Sequence, residues 1–231
     1  MNIKTIIFDL DDTIFDTTGQ LLHFALQESL TTMNENGFSL EFFEFKETFS
    51  YMQTEFPEDN VFFKILEKHN SISKSNDELI NISTNMTELF YNRKVSASIH
   101  PFDGAVQILE KLKENYDLYL VTYGHPETQL NKIKLLEISN LFKFTYIVGV
   151  HYNNKKITAF KDILQRSSCQ PNEVLCVGNR RDSEIEDANL LKMNTCYLNH
   201  GEHKNALPRN PNQVPDFTIN DFSEIINTCQ I

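Results

Sequence analysis

Short apolar runs and helical stripes divide the chain into distinct segments. The first run covers residues 5–8 and is followed at 9–13 by the acidic sequence Asp-Leu-Asp-Asp-Thr. An unbroken apolar run of this length is typical of a strand that is buried on both faces of a sheet. The pattern therefore predicts a buried strand whose carboxyl end opens into a loop, with Asp9 at the tip.

Residues 20–95 carry apolar positions at helical spacing. One stripe, which ends before Gly37, consists of Leu22, Leu26, Leu30 and Met33. A second stripe follows Ser75 and Glu78, which have the spacing of a capping box, and consists of Leu79, Ile82, Met86, Leu89 and Phe90. We predict helices throughout this region, and we interpret its Phe and Met stripes as helix packing rather than as the lining of a substrate pocket.

After Pro101 the pattern changes to an alternation of strands and helices. The predicted strands cover 117–123, 145–150, 173–179 and 194–198, and the predicted helices cover 105–115, 127–136, 159–167 and 185–191. A last edge strand or turn, leading into a terminal helix, is predicted within 216–226. This order predicts an α/β fold with a doubly wound, Rossmann-like parallel sheet. We assign residues 1–16 and 97–231 to this core domain and 17–96 to an inserted α-helical domain.

Composition and charge narrow the function. The apolar share of 40% supports a packed core, and the net charge of −11 disfavours binding to nucleic acid or an anionic membrane, so that a small diffusible partner is expected. No leader and no apolar run approaching 18 residues is present, which predicts a cytoplasmic protein. The four cysteines lack the paired spacing of zinc sites or disulfide frameworks and are interpreted as thiols in a reducing cytosol.

Four predicted strand ends carry polar residues, namely Asp9, Thr122, the lysines near 156 and Asn179. The sequence Phe-Asp-Leu-Asp-Asp-Thr at 8–13 resembles the DxDx[T/V] signature of haloacid dehalogenase-like phosphatases. In the order of that family it is followed by Val-Thr-Tyr-Gly at 121–124, a lysine region, and Val-Gly-Asn-Arg-Arg-Asp-Ser-Glu-Ile at 177–185. The resemblance covers nearly the whole chain. It implies a magnesium-dependent phosphohydrolase with an inserted helical cap that acts on a small phosphorylated metabolite through an aspartyl phosphate.

The resemblance assigns a role to each matching residue. Asp9 would attack phosphorus, and Asp11 would protonate the leaving alcohol and later activate water, because a phosphate monoester needs both a nucleophile and a proton donor. Thr122 would donate to a phosphoryl oxygen. Thr13, Tyr123 and Gly124 are further candidates for binding phosphate or substrate, and Tyr123 stands where relatives often have asparagine.

The lysine of the family has three candidates in this chain. A fixed ammonium is needed to stabilise charge on the phosphoryl oxygens and to hold the nucleophile. Counting back from the predicted helix start favours Lys156, with Lys155 and then Lys161 as alternatives, because the proline that usually follows this lysine is missing.

By the same resemblance, Mg²⁺ would be bound by Asp9, the backbone carbonyl of Asp11, Asn179 and Glu184. Relatives usually have aspartate where this chain has Asn179. A neutral amide in place of a carboxylate is expected to weaken magnesium binding. His200 and His203 are interpreted as residues of a surface loop.

Two alternatives follow from the same residues. Asn179 favours a catalytically weak or silent relative that binds a phosphorylated ligand. A phosphomutase or a dehalogenase could share the scaffold, but family dehalogenases typically lack the second aspartate of DxD, so Asp11 argues against that activity.

Overall fold

The computed structural model describes residues 2–56, 60–92, 94–95, 98–149 and 156–231. Its sheet contains six strands, all parallel to their neighbours, in the order β3-β2-β1-β4-β5-β6. The strands are β1 (Thr5–Phe8), β2 (Asp117–Tyr123), β3 (Phe144–Val148), β4 (Val174–Gly178), β5 (Asn194–Leu198) and β6 (Phe217–Ile219). The predicted α/β class with a doubly wound parallel sheet is confirmed.

The helices number nine among the described residues. They are α1 (His23–Glu35), α2 (Phe42–Glu55), α3 (Val61–Lys68), α4 (Asn76–Asn92), α5 (Ala105–Lys113), α6 (Pro126–Leu135), α7 (Lys156–Ser167), α8 (Glu186–Leu190) and α9 (Ile225–Cys229). The predicted strands at 117–123 and 194–198 are confirmed residue for residue. The last predicted element resolves into a short edge strand, β6, and α9.

Two predicted helices are preceded by helical residues that the sequence pattern did not show and that matter for the site. The helix predicted from residue 159 begins at Lys156, so that this lysine lies in the first turn of α7 and not in a preceding loop. The helix predicted from residue 185 is preceded by a π-helical turn, Arg181–Ile185, which carries Glu184. These first turns were not predicted because their polar residues lack the apolar spacing by which a helix is recognised.

The central strand β1 is buried along its whole length and has a parallel strand on each side. Its last residue, Phe8, pairs with Leu120 of β2 and Val177 of β4. This register places the carboxyl ends of the three strands side by side. Asp9, which follows β1, extends the ladder by donating its N–H to the carbonyl oxygen of Val177 at 3.0 Å.

Apolar side chains cover both faces of the sheet. On one face, Phe160 and Ile163 of α7 pack against sheet residues that include Ile7 and Val121. Aromatic rings cluster around Phe8, whose ring centroid lies 6.4 Å from that of Phe142 and 5.9 Å from that of Phe222. This packing fixes the strand ends from which the polar residues project.

The helical segment has a core of its own. The buried residues of its predicted stripes, among them Leu26, Leu30, Met33 and Met86, join one apolar cluster with Phe45, Phe49 and Phe62. The interpretation of the Phe and Met stripes as packing is confirmed for these buried positions. The predicted capping box is also confirmed, since Ser75 N–H donates to Glu78 Oε2 at 2.9 Å and Glu78 N–H donates to Ser75 Oγ at 3.4 Å.

The chain divides into two compact units, one formed by Met1–Gln20 with Val95–Ile231 and the other by Leu21–Lys94. The first holds the sheet and the second holds α1 to α4. The assignment of 1–16 and 97–231 to a core domain and of 17–96 to an inserted helical cap domain stays a prediction. Within the described part of the chain, none of the helices has the length and apolar character needed to span a membrane.

Candidate active site at the carboxyl ends of the strands

Lys156 connects two acidic residues of the sheet unit. Its Nζ donates to Asp9 Oδ1 at 2.6 Å and also to Glu184 Oε1, and all three side chains are buried. Asp9 follows β1, Glu184 follows β4, and Lys156 begins α7, so three separate elements bring the group together. Lys161 is exposed on α7, and Lys155 lies outside the described residues.

Burial and charge perturb the pKa values of all three groups. Burial, with a contribution from the Glu184 charge, raises the pKa of Asp9 to about 7, although Lys156 opposes the shift. Burial would lower the pKa of Lys156, but the charges of Asp9 and Glu184 outweigh it and the pKa is raised. Burial is likewise outweighed at Glu184, where Lys156 and Arg180 lower the pKa. The charges of Lys156 and Glu184 therefore offset each other, and ionisation of Asp9 would add a negative charge that no further cation of this group offsets.

Gly178 provides the space that Glu184 occupies. A Cβ at position 178 would lie 2.7 Å from Glu184 Cγ and 2.9 Å from Glu184 Oε2. The backbone N–H of Arg180 donates to the same Oε2 of Glu184 at 3.1 Å and holds the end of this side chain. A side chain at 178 would push Glu184 away from Lys156, so this position requires glycine.

Asp11 is held by three donors that the sequence analysis did not identify. Its Oδ1 accepts from Thr17 Oγ1 at 2.7 Å and from Lys132 Nζ at 2.7 Å, and its Oδ2 accepts from Gln129 Nε2 at 2.8 Å. Burial opposes ionisation, but the Lys132 charge and the hydrogen bonds from Lys132, Gln129 and Thr17 outweigh it and lower the pKa of Asp11. In the sequence, Gln129 and Lys132 show only a spacing of three within the helix predicted at 127–136, which places them on one face but does not indicate a contact with Asp11.

Gln129 also contacts the end of β2. Its Nε2 lies against Thr122 Oγ1 and at 3.2 Å from the carbonyl oxygen of Tyr123. Thr122 is fully buried, whereas Tyr123 is 51% exposed. Gly124 has a φ of +150°, and its N–H donates to the carbonyl oxygen of Val148 at 3.0 Å. The structure thus places Thr122 beside Asp11 through a shared partner, and the N–H of Gly124 is engaged within the sheet.

Thr13 and Asn179 complete the predicted set. Thr13 is buried, and its Oγ1 has no hydrogen-bond partner within the described ranges. Asn179 is 3% exposed at the end of β4, and its Nδ2 lies 3.5 Å from the carbonyl oxygen of His200. Buried polar atoms are normally paired. The unpaired hydroxyl of Thr13 could therefore donate a hydrogen bond to a bound group or accept one from it.

A second acidic group lies next to the first. Ligand atoms of Asp12, Asp16 and His200 fall within 4.8 Å of one another. His200 was expected on a plain surface loop, but it is partly buried and its Nε2 lies 3.0 Å from Asp16 Oδ1. Asp12 has a φ of +52° and accepts from Thr18 N–H at 2.8 Å and from Thr18 Oγ1 at 2.6 Å. These bonds within the group hold the loop that follows Asp11, and the positive φ is a conformation that favours glycine.

The sequence was compared with families and proteins of known identity. The profile of the haloacid dehalogenase-like hydrolase family matches residues 6–197. A glyceraldehyde 3-phosphate phosphatase of Methanopyrus kandleri is 27% identical, with 99% of this chain and 97% of the relative covered. One of the same name from Pyrococcus abyssi is 30% identical, with 87% and 83% covered.

The fold was compared with solved structures. YfnB of Bacillus subtilis, which was solved bound to magnesium, superposes with a TM-score of 0.67 at 20% identity, and 98% of each chain is covered. At this identity the likeness establishes a shared fold.

Proposed function

The chain belongs to the haloacid dehalogenase-like hydrolases, and we propose that this phosphohydrolase releases phosphate from a small phosphorylated metabolite through an aspartyl phosphate on Asp9. The observation that carries the proposal is the buried contact of Asp9 with Lys156. Asp11, two residues after Asp9, is a second carboxylate with donors of its own, among them Lys132. Two neighbouring carboxylates in different surroundings are suited to different chemical tasks.

The first half of the reaction forms a bond between Asp9 and phosphorus. Lys156 donates to Oδ1, and we assign the attack to Oδ2. As the new bond forms, the bond from phosphorus to the leaving oxygen breaks, and the leaving oxygen takes a proton from the carboxyl group of Asp11. The ammonium of Lys156 and the hydroxyl of Thr122 offer positive charge and a donor to the phosphoryl oxygens.

The second half releases phosphate. Asp11, now a carboxylate, takes a proton from water as the water oxygen bonds to phosphorus, and the bond from phosphorus to Asp9 breaks. The contacts from Lys132, Gln129 and Thr17 favour this carboxylate form. Each carboxylate thus returns to its starting state after one turnover.

The residues fit a magnesium ion. Their ligand atoms are all oxygens, which Mg²⁺ prefers, and burial together with the Glu184 charge disfavours ionisation of Asp9, an effect that a bound cation would oppose. We assign the ion to Asp9, the Asp11 carbonyl and Asn179, with Glu184 contributing its charge directly or through a water. When bound, the ion offsets the negative charge of the phosphoryl group.

Two further features refine the proposal. The curated relatives named above are glyceraldehyde 3-phosphate phosphatases, so a phosphorylated triose is the first substrate to test.

All four cysteines are free thiols, and three of them are buried. That usage supports a reducing compartment, and we place the protein in the cytoplasm.

The test is phosphate release from p-nitrophenyl phosphate and from glyceraldehyde 3-phosphate, with and without magnesium. We expect metal-dependent turnover in the parent and its loss in Asp9→Asn, while Asp103→Asn, which changes an exposed aspartate of the same unit, leaves it intact. Full activity in Asp9→Asn would refute the assignment of the nucleophile. An inert parent with every divalent ion would favour the alternative of a protein that only binds a phosphorylated ligand.

A further inference from the structure

Two polar residues on α6 face the second aspartate of the acidic loop. Gln129 and Lys132 are separated by three positions, which places them on the same side of the helix. Gln129 is 2% exposed and Lys132 is 9% exposed. Both reach Asp11, which lies more than a hundred residues earlier in the chain.

Burying the polar side chains of Gln129 and Lys132 costs free energy that apolar packing does not offset. Lysine and glutamine are mostly exposed in proteins, and a buried lysine is normally paired with an opposite charge. The apolar residue Ile133, on the same helix, fills the core in the ordinary way. The pairing with Asp11 therefore accounts for the polar character of this part of α6.

We propose that Gln129 and Lys132 are positioning residues that fix the carboxyl group of Asp11 for proton exchange with the leaving group. The proposal rests on the proposed function, because it assigns the proton exchange to Asp11. Lys132 and Thr17 hold Oδ1 from one side, and Gln129 holds Oδ2 from the other. With donors on both oxygens, the carboxylate of Asp11 has one preferred orientation.

The two positioning residues contact different sets of groups. Lys132 contacts Asp11 and otherwise lies near the ring of Phe15, 6.0 Å from its centroid. Gln129 contacts Asp11 and Thr122 together. An amide can donate through its nitrogen or, after rotation, accept through its oxygen, so Gln129 can accompany both the ionised and the protonated carboxyl group. Loss of Lys132 should affect proton transfer alone, and loss of Gln129 should also affect Thr122.

Leaving-group dependence separates these effects. A poor leaving group such as a sugar or triose alcohol needs a proton as its bond to phosphorus breaks, whereas 2,4-dinitrophenolate leaves without one. The ratio kcat/KM reports the steps up to formation of the aspartyl phosphate, so that hydrolysis of this intermediate does not enter. We therefore compare kcat/KM for a phosphorylated triose with kcat/KM for 2,4-dinitrophenyl phosphate.

The expected pattern is specific. General acid catalysis typically contributes about 10²- to 10⁴-fold, so we expect Asp11→Asn to lose about that much with the triose phosphate and Lys132→Met to lose about tenfold or more. Neither should change kcat/KM for the dinitrophenyl ester by more than about threefold. Lys132→Arg should restore part of the loss. Gln129→Met should lower kcat/KM for both esters, and Lys134→Met, which changes an exposed lysine of the same helix, should lower neither.

Several outcomes would overturn the proposal. An equal fall for both esters in Lys132→Met would mean that Lys132 acts on the phosphoryl group or on folding, and an unchanged or higher rate with the triose phosphate would mean that it does not position the acid. A parent that is inert, or an active Asp9→Asn, counts instead against the proposed function. In that case the Lys132 contact is still tested by thermal unfolding of Lys132→Met, Asp11→Asn and the double variant, where strictly additive shifts would refute the coupling.

Discussion

At the scale of single residues, the site depends on one cation held between two carboxylates. Lys156 contacts both Asp9 and Glu184 inside the fold, so that each carboxylate has a charged partner, but a single positive charge is shared between the two. The acidic loop contains two further carboxylates with separate partners: Lys132 contacts Asp11, and Thr18 donates to Asp12. The difference in partners is what gives chemically identical groups different pKa values.

The assignment of Lys156 predicts a contrast between two lysines of one helix. Loss of one fixed electrostatic group in an active site typically costs about 10²- to 10³-fold in kcat, so we expect a loss of this size in Lys156→Met. Lys161→Met, five residues further along α7 at an exposed position, should retain the parent rate. Steady-state kinetics on one aryl phosphate distinguishes the two. A loss confined to Lys161→Met would transfer the role to that lysine.

Gly178 predicts a defect that acts through its neighbour. Because a Cβ there would overlap Glu184, we expect Gly178→Ala to displace that carboxylate, to cost about 1–3 kcal/mol of stability, and to lower kcat/KM by at least about tenfold. Gly104→Ala is the matched control, since a Cβ at position 104 meets nothing within 4 Å. The control should lose stability through its φ of +75° but keep its activity. Equal kinetics for Gly178→Ala and the parent would contradict the steric argument.

At the scale of elements, the first turns of two helical segments deliver the chemistry of the site. Lys156 is the first residue of α7, and Glu184 lies in the π-helical turn that leads into α8. The backbone N–H of Ile157 donates to Asp187 Oδ2 at 2.9 Å, which ties the start of α7 to α8. The starting residues of these elements therefore determine which side chains meet at the strand ends.

The helical unit offers an independent test of how local signals specify an element. Ser75 and Glu78 form the capping box at the start of α4, and loss of such a cap costs about 1 kcal/mol. We expect Ser75→Ala to lower the free energy of unfolding by about that amount, measured by urea denaturation followed by circular dichroism. Ser71→Ala, at an exposed position before the helix, should have no comparable effect. Identical midpoints for the two variants would show that the box contributes nothing.

At the scale of the whole molecule, binding of a metal should be linked to stability. An ion that binds the folded chain alone raises the free energy of unfolding with its concentration. We expect the thermal midpoint to rise with magnesium in the parent and to respond at lower magnesium in Asn179→Asp, because an added carboxylate strengthens attraction for the ion. Asp9→Asn should lose most of the response. A thermal midpoint that does not change with magnesium concentration in any variant would argue against the assigned ligands.

The same variant decides between the two functional alternatives. If Asn179→Asp turns over an aryl phosphate at lower magnesium than an active parent, the parent is an enzyme with a weakened metal site. If Asn179→Asp gains activity that the parent lacks at all magnesium concentrations, the natural chain serves as a binding relative. The net charge of −11 makes a local cation important in either case, because a phosphorylated ligand is itself an anion.

The sequence by itself determined the class of fold and the strand ends at which polar residues gather. Strand and helix periodicities are local properties, so the parallel sheet, the capping box and the edge strand near 217 could be predicted without tertiary information. Motif spacing predicts Asp9, Asp11, Thr122 and Asn179 as site residues for the same reason, because each follows or ends a short apolar run.

Only the tertiary structure decided which side chains touch. The contacts of Lys156 with Asp9 and Glu184 depend on the residue at which α7 begins, and the contacts of Gln129 and Lys132 with Asp11 join segments more than a hundred residues apart. The need for glycine at 178 arises from a side chain that folds back against its own strand end. Such contacts are set by strand register, helix start and the packing of elements that are distant in sequence, and no local pattern of polar and apolar residues records them.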